Sequence, residues 1–288
     1  MPTYQGLSFP VLGTEPDFFW TSQPTADMIA LVGRQVREQD WRREGKENLV
    51  MATTISLPDL TSIHWLGHDS FLIVDGPGKK RVVIDPFKLR RHEPVDLILI
   101  SHAHHDHYSA EDIAKLRQPE TIFVVAPTVA KELIDVPADK LVILAPGEKA
   151  TVAGIKIEAV AAYNTNKFRA PGVPFHPKED RNVGFIVSVG GSGADGLRVY
   201  HAGDTDAIPE MAGAHGQGLG VDVALVPVSG TYVMLPEEAV EAVAAIRPRV
   251  SIPMHYGSLV GSEAEARRFA DLCAARGFPV RILRQEDI

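Results

Sequence analysis

The sequence predicts an α/β fold in which two mixed β-sheets pack face to face and helices cover their outer sides, a four-layer sandwich. Two predominantly apolar runs, Val95–Ile100 and Val221–Val228, have the composition of strands that are buried on both faces. Strand-rich stretches lead into strand–helix units along the chain, and this order is typical of two sheets with external helices.

Short apolar segments bounded by glycine and proline turns mark the other strands. They are Ile63–Leu66, Phe71–Val74, Arg81–Ile84, Thr121–Ala126, Leu141–Leu144, Ala150–Val152, Ile155–Val160, Val183–Val189, Leu197–Tyr200, Val250–Pro253 and Val280–Leu283. Helices are predicted at Ala110–Leu116, Thr128–Leu133 and Pro236–Ile246, and from Ser262 onward. Ser109 has the position of an N-cap, and Pro236 stands where proline commonly opens a helix.

The first 58 residues differ from the remainder in periodicity and composition. They contain Pro2, Pro10, Pro16 and Pro24, followed by the charged run Arg34–Glu47, and a helix is predicted at Thr25–Arg43. We therefore predict an N-terminal extension over residues 1–58 and a main domain over residues 59–288. The extension is expected to pack on the main domain or on a partner subunit, so a homo-oligomer is one expectation.

Composition and charge exclude several classes of function. The chain has 288 residues and a formal net charge of −8, which argues against a broad surface for nucleic acid or anionic membrane. It contains no apolar stretch long enough to span a membrane and no basic start followed by an apolar run, so a cytoplasmic protein is expected. The single cysteine, Cys273, is expected to be a buried thiol.

The segment Ser101–His107, which reads Ser-His-Ala-His-His-Asp-His, carries the strongest chemical signal. It contains four histidines in six residues and follows directly after a run that predicts a buried strand. Imidazole and carboxylate groups are ligands that suit zinc, iron or manganese. The segment therefore predicts a metal site at the end of this strand.

The spacing divides these residues between two cations. Alternate side chains of an extended backbone share a side, so His102 and His104 can reach one cation. Asp106 and His107 begin the turn into the next helix and can reach a second cation. His105 has the opposite parity and is expected to face outwards.

Two later residues have the same placement relative to their strands. Asp204 follows the predicted strand Leu197–Tyr200, and His255 follows the predicted strand Val250–Pro253. We expect both to meet the histidine-rich segment at one edge of the sandwich.

These motifs resemble those of the metallo-β-lactamase superfamily, and most closely its branch of ascorbate-6-phosphate lactonase-like and metal-dependent hydrolases. The similar segments are the His-x-His-x-Asp-His run, the Gly-Asp-Thr loop at Asp204 and the late Met-His-Tyr at His255. The segments Trp65–Phe71 and Ile84–Pro86 are similar to the opening signature of that branch. The resemblance covers about residues 61–285.

The resemblance implies a binuclear site. His102 and His104 would bind the first metal, Asp204 would bridge the two, and the second metal would be bound by the set Asp106, His107 and His255. Many members of the superfamily place a third histidine of the first site after the strand that corresponds to Ile155–Val160. This sequence has Ala-Tyr-Asn there, so His176 on the following loop is the favoured substitute and Asn164 is the weaker candidate.

Other residues have open roles. His68 fits a hydrogen-bonded core histidine or a role at the site, and Asp85 fits a turn residue or a group that orients a ligand histidine. Tyr232 is a candidate hydrogen-bond donor to substrate. A basic cluster in the loop after Asn164 fits either a solvated loop or a binding site for an anionic substrate, and it consists of Lys167, Arg169, Lys178 and Arg181.

We predict from these features a hydrolase that uses a metal-bound hydroxide on a small substrate. A lactone or phosphoester is favoured, and an anionic substrate is one of the options. Two divalent ions are expected, with zinc as the default and manganese or iron as alternatives. Asp106 is expected to help orient the hydroxide. Two other functions stay open, an iron-dependent oxygenase or redox protein on the same fold and a non-catalytic metal-binding scaffold.

Overall fold

The computed structural model describes residues 57–76, 79–91, 93–190 and 196–287. The predicted helix Thr25–Arg43 lies outside these ranges, as does most of the predicted N-terminal extension. The boundary between the extension and the main domain therefore stays a prediction.

The first sheet has six strands that are ordered as they occur in the sequence. Its strands are β1 (Ile63–Gly67), β2 (Ser70–Asp75), β3 (Lys80–Ile84), β4 (Leu97–Ile100), β5 (Ile122–Val125) and β6 (Leu141–Ile143). The first three strands pair in antiparallel fashion, and the last four pair in parallel. The parallel half places the carboxyl ends of β3 and β4 at the same edge of the sheet.

The second sheet also has six strands and combines antiparallel with parallel pairing. Its strands are β7 (Lys149–Val152), β8 (Ile155–Ala161), β11 (Val183–Val189), β12 (Leu197–His201), β13 (Val223–Pro227) and β14 (Val250–Met254), while β9 (Phe168–Ala170) and β10 (Val173–Pro174) form a separate hairpin. The strands β12, β13 and β14 run parallel to one another. Their carboxyl ends therefore share one edge as well.

The core lies between the sheets. All residues of β4, β13 and β14 are buried, as expected for the continuous apolar runs of the sequence. One continuous cluster of buried apolar side chains includes members of both sheets, among them Phe71 and Phe185. The predicted α/β fold with two mixed sheets is confirmed, and the helices are few.

Three α-helices are present in the described residues, α1 (Ala110–Leu116), α2 (Pro236–Ile246) and α3 (Glu263–Ala275). The Ser109 hydroxyl accepts a hydrogen bond from the backbone N–H of Asp112 and caps α1, as predicted. Cys273 on α3 is buried. No helix of the described residues is long and apolar enough to cross a bilayer.

Two of the predicted elements are wrong. The predicted helix Thr128–Leu133 is only a 3₁₀ turn at Val129–Lys131, which is too short to present an apolar stripe of its own. The predicted strand Val280–Leu283 makes one isolated bridge, between Val280 and Ser251, and does not extend the sheet beyond β14.

Candidate metal centre

The predicted metal-binding residues lie where the carboxyl ends of strands from both sheets meet. In the first sheet, β4 leads directly into the segment Ser101–His107, and β3 leads into Asp85. In the second sheet, β12 leads into Asp204 and β14 leads into His255. Parallel pairing brings the ends of neighbouring strands together, and the packing of the two sheets brings the two edges together.

The first ligand group consists of His102, His104 and His176. The Nδ1 atom of His104 lies 3.0 Å from His102 Nε2 and 3.1 Å from His176 Nε2. Asp204 Oδ2 lies 3.2 Å from His176 Nε2 and 3.8 Å from His102 Nε2. One atom of each of these four residues lies within 4.8 Å of the others, so together they form a group that could hold one cation.

Hydrogen bonds behind the first ligand group orient two of its rings. The Ser101 hydroxyl donates to Asp85 Oδ2 at 2.6 Å, so His102 Nδ1–H donates to Ser101 Oγ at 3.0 Å. The ring of His176 donates from Nδ1 to Asn164 Oδ1 at 2.8 Å. Both rings therefore keep the lone pair of Nε2 for a cation, and Asn164 lies behind His176 rather than beside the ligand atoms.

The second ligand group consists of Asp106, His107 and His255. His107 Nε2 lies 3.2 Å from Asp204 Oδ1 and 3.9 Å from Asp106 Oδ2. His255 Nε2 lies 3.4 Å from Asp204 Oδ2. Asp204 thus faces both ligand groups, which is the position required of a bridging carboxylate.

The second ligand group also has orienting partners. Asp85 Oδ2 accepts from His107 Nδ1 at 2.8 Å, and Ser229 Oγ lies 2.9 Å from His255 Nδ1. His68 Nε2 lies 3.2 Å from Asp106 Oδ2 and can donate to it. These contacts fix the direction in which each ligand atom points.

Four residues around the centre have left-handed backbone conformations, which are uncommon for residues other than glycine. They are His68 with φ of 52°, Asp85 with φ of 48°, Tyr232 with φ of 70° and His255 with φ of 60°. Backbone strain of this kind persists only where the surrounding structure enforces it, and it concentrates at functional sites.

The electrostatic environment differs between the two groups. Burial, together with the neighbouring His107, lowers the pKa of His102 well below its usual range. Burial also opposes the charged form of His255, but Asp204 and Asp69 outweigh it and raise the pKa of His255 to about 9. A site that draws protons onto a buried imidazole has a negative potential, which equally favours a divalent cation.

Unpaired buried atoms support the same conclusion. Within the part of the chain that the structure describes, several buried atoms have no hydrogen-bond partner: His107 Nε2, His255 Nε2, Asp204 Oδ1 and both carboxylate oxygens of Asp69. An unsatisfied buried polar group costs about 1–3 kcal/mol, and more when the group is charged. The donor set of imidazoles and carboxylates, with these atoms converging, fits divalent metal ions.

A cavity of about 370 Å³ opens onto the centre. Its floor carries ligand residues of both groups, and its walls are Phe175, Tyr232, Leu259 and Val260. The rings of Phe175 and Tyr232 pack edge to face with centroids 4.7 Å apart. The cavity therefore combines a polar, acidic floor with apolar walls.

The basic cluster of the following loop does not line this cavity. Lys167 Nζ lies 2.6 Å from Glu238 Oε2, and Lys178 Nζ lies 2.8 Å from Glu210 Oε1. These carboxylates neutralise the two lysines. Lys178 and Arg181 instead line a different cavity, of about 770 Å³, which contains none of the ligand residues.

The structure thus brings together all seven side chains that the sequence predicts as metal ligands. Of the two candidates for the third position of the first group, His176 lies among the ligand atoms and Asn164 does not. His105 faces outwards, with 79% of its side chain exposed. Sequence reasoning assigned no role to Asp69, which is fully buried at the centre. A charged residue between His68 and an apolar strand is the signal that could have indicated it.

The fold and the centre together define a class of protein, the metallohydrolases built on two facing mixed sheets. A family model described as "Beta-lactamase superfamily domain" matches residues 62–255. A UPF0173 metal-dependent hydrolase of Thermoplasma acidophilum is 33% identical over 225 residues, which covers 75% of this chain and 92% of that protein. The corresponding protein of Opitutus terrae is 32% identical over 238 residues, with 76% and 95% covered.

A crystal structure of a protein from Parabacteroides distasonis matches with a TM-score of 0.61 and 30% identity, and covers 77% of this chain and 92% of that chain. This chain belongs to the metallo-β-lactamase superfamily, in the branch of the UPF0173 metal-dependent hydrolases. The family resemblance that the sequence indicated is therefore confirmed, and so is the prediction of a metal-dependent hydrolase.

Proposed function

We propose that this protein hydrolyses a small uncharged ester or lactone at a binuclear metal centre. The observation that carries the proposal is the position of Asp204. One of its oxygens, Oδ2, lies 3.2 Å from His176 Nε2 in the first ligand group and 3.4 Å from His255 Nε2 in the second. A carboxylate in this position can join two ions that act on the same substrate bond.

The proposed metal ions are divalent. Zinc is the default for a set of nitrogen and oxygen ligands, and manganese and iron suit the same ligands. When bound, such ions polarise a carbonyl group and lower the pKa of a water molecule from 15.7 to about 7.

The protein supplies the orientation of the reacting groups. Asp106 lines the floor of the cavity and receives a hydrogen bond from His68. In the proposed mechanism this carboxylate, as a ligand of the second ion, also helps to orient the attacking water. Tyr232 lies on the wall of the same cavity. In the proposed mechanism its hydroxyl donates a hydrogen bond to the substrate.

The cavity walls support an uncharged substrate over a phosphoester. Phe175, Leu259 and Val260 offer apolar contact next to the ligand groups. No lysine or arginine lies among the described residues that line this cavity. A phosphodiester would bring its negative charge to a place where only the metal ions could balance it, whereas a lactone with an apolar substituent would match the walls.

The proposal is tested by hydrolysis assays on the metal-loaded protein with γ-lactones, p-nitrophenyl esters of increasing chain length and bis-p-nitrophenyl phosphate. We expect hydrolysis of lactones or esters that improves with apolar chain length and disappears on chelation. His104→Ala should reduce kcat/KM by more than about a hundredfold, since loss of residues that only orient ligands already costs 10–100-fold.

The matched control is His64→Ala, because His64 pairs with Glu286 and makes no contact with the ligand groups. This variant should retain full activity. Metal-loaded protein that hydrolyses only the phosphodiester would overturn the substrate class. A coloured, iron-containing protein without hydrolytic activity would support the oxygenase alternative, and a protein that binds metal without either activity would support the scaffold alternative.

A further inference from the structure

We infer that Asp69 is a ligand of the second metal ion, in addition to Asp106, His107 and His255. This inference rests on the proposed binuclear centre and extends its ligand set by a carboxylate that lies outside the His-x-His-x-Asp-His motif. Asp69 belongs to the turn between β1 and β2, in the first sheet. Its side chain is fully buried, and neither of its carboxylate oxygens has a hydrogen-bond partner among the described residues.

The backbone around Asp69 is held from three sides. Trp65 Nε1 and the backbone N–H of His255 both donate to the carbonyl of His68, at 2.9 and 3.2 Å. The buried ring of His201 donates from Nε2 to the carbonyl of Asp69 at 2.8 Å, and its Nδ1 accepts from the backbone N–H of Gly203 at 3.2 Å. His201 therefore connects the turn that carries Asp69 to the loop that carries Asp204.

The carboxylate of Asp69 points at the metal-facing nitrogens of the second ligand group. Its Oδ2 atom lies 3.6 Å from His107 Nε2 and 3.8 Å from His255 Nε2. These distances are too long for hydrogen bonds. They are close to the spacing of about 3.3–3.6 Å between neighbouring ligand atoms that each lie 2.0–2.2 Å from a tetrahedral ion.

The tautomers of the two histidines exclude a purely orienting role. His107 uses Nδ1 to contact Asp85, and His255 uses Nδ1 to contact Ser229. Their Nε2 atoms must therefore supply the lone pairs for a metal ion, and in that state neither Nε2 carries a proton to donate to Asp69. One other nitrogen, His68 Nε2, lies 3.6 Å from Asp69 Oδ2, which is too long for a hydrogen bond, and it donates to Asp106 instead. With the ion bound, an Asp69 that did not bind it would therefore be a buried charge without a hydrogen-bond partner among the described residues, which is strongly unfavourable.

Two overlapping groups of ligand atoms surround the position of the second ion, one that includes Asp69 and one that includes Asp106. Asp69, His107, Asp204 and His255 have ligand atoms that lie within 4.8 Å of one another, and so do His68, Asp106, His107 and His255. The two sets share His107 and His255. Asp69 and Asp106 thus flank the same position from two sides, and an ion there has more carboxylate oxygens around it than an ion in the first ligand group.

The test measures metal affinity instead of activity. Full-length protein is stripped of metal and titrated with Co²⁺, with bound metal counted by elemental analysis and the coordination followed by d–d absorption. Asp69→Asn keeps the shape of the side chain and removes its charge. We expect the variant to bind the first ion with unchanged affinity, to bind the second at least about tenfold more weakly, and to show an altered absorption band for the second ion.

Asp96→Asn is the matched control, because Asp96 pairs with Lys80 far from the ligand groups. It should bind both ions as the wild type does. His104→Ala combined with Asp69→Asn isolates the second ion, and circular dichroism establishes that each variant is folded. Unchanged affinity and absorption of the second ion in Asp69→Asn would overturn the inference while leaving the proposed function intact. A wild-type protein that binds no metal would overturn the proposed function itself.

Discussion

The two ligand groups are built from similar residues but are held in different ways. The first group consists of imidazoles whose pKa values burial lowers, for His102 and for His104. The second group lies among carboxylates, and there Asp204 and Asp85 overcome the effect of burial and raise the pKa of His107 well above its usual range. His102 and His104 thus favour the neutral form that binds metals, whereas the surroundings of the second group are dominated by negative charge.

The difference extends to the residues behind each group. His176 depends on the uncharged amide of Asn164, while His107 depends on the carboxylate of Asp85. Asp85 also reaches the first group, but only indirectly, through the Ser101 hydroxyl. The comparison teaches that the two ions, although they would share Asp204, should respond differently to changes in their surroundings.

The largest expected effects come from these orienting residues. Asp85→Asn should lower the affinity for the second ion by about 10–100-fold and the affinity for the first ion by less. The reason is that Asp85 contacts His107 directly and His102 only through Ser101. Asn164→Leu should lower the affinity for the first ion alone, by about tenfold, since His176 loses its hydrogen-bond acceptor. Co²⁺ titration with elemental analysis of bound metal measures both effects.

Asp85→Asn and Asn164→Leu together test whether metal binding to the two ligand groups can be weakened independently. Each serves as the control for the other, because they act on the same centre from opposite sheets. If both variants weakened the same ion to the same extent, the distinction between the two groups would be wrong.

A smaller effect is expected from Glu238, which anchors the loop that leads to His176. Its carboxylate pairs with Lys167 at 2.6 Å and accepts from Asn166 Nδ2 at 2.6 Å. Such a partly exposed pair contributes about 1 kcal/mol or less. Glu238→Gln should therefore weaken binding of the first ion by at most about fivefold. Glu241→Gln is the control on the same helix, because Glu241 pairs with Arg276, the C-cap residue of α3.

The contribution of Glu238 to folding stability should decrease as the pH is lowered. Although burial opposes its charge, Lys167 helps to lower the pKa of Glu238 below its ordinary value of 4.5. A lowered folded-state pKa adds stability above pH 4.5, and this stability is lost as the pH falls through the folded-state value. The difference in unfolding free energy between wild type and Glu238→Gln should therefore be largest near neutral pH and vanish in acid; a difference that grew in acid would contradict this assignment.

The sequence predicted most of the strands and the principal ligands because both depend on local pattern. The apolar run before Ser101 and the spacing of His102 and His104 are visible without tertiary information. His176 was predictable only as a candidate, because its loop is positioned by contacts from distant residues, such as that of Asp206 with the backbone of Thr165.

Asp69 was missed for a different physical reason. Strict alternation along an extended strand would send His68 and Asp69 to opposite sides. The left-handed backbone of His68, with φ of 52°, breaks this alternation and lets both side chains face the centre. Likewise, the sequence shows the positive charge of Lys178 but not that Glu210 neutralises it.

The central claim is that two ions bind side by side, one in each ligand group, with Asp204 between them. Anomalous diffraction from crystals of the metal-loaded protein tests it most directly. We predict two peaks about 3.5–4 Å apart, one beside His102, His104 and His176 and the other beside His107 and His255. A single peak, or peaks away from Asp204, would contradict the account.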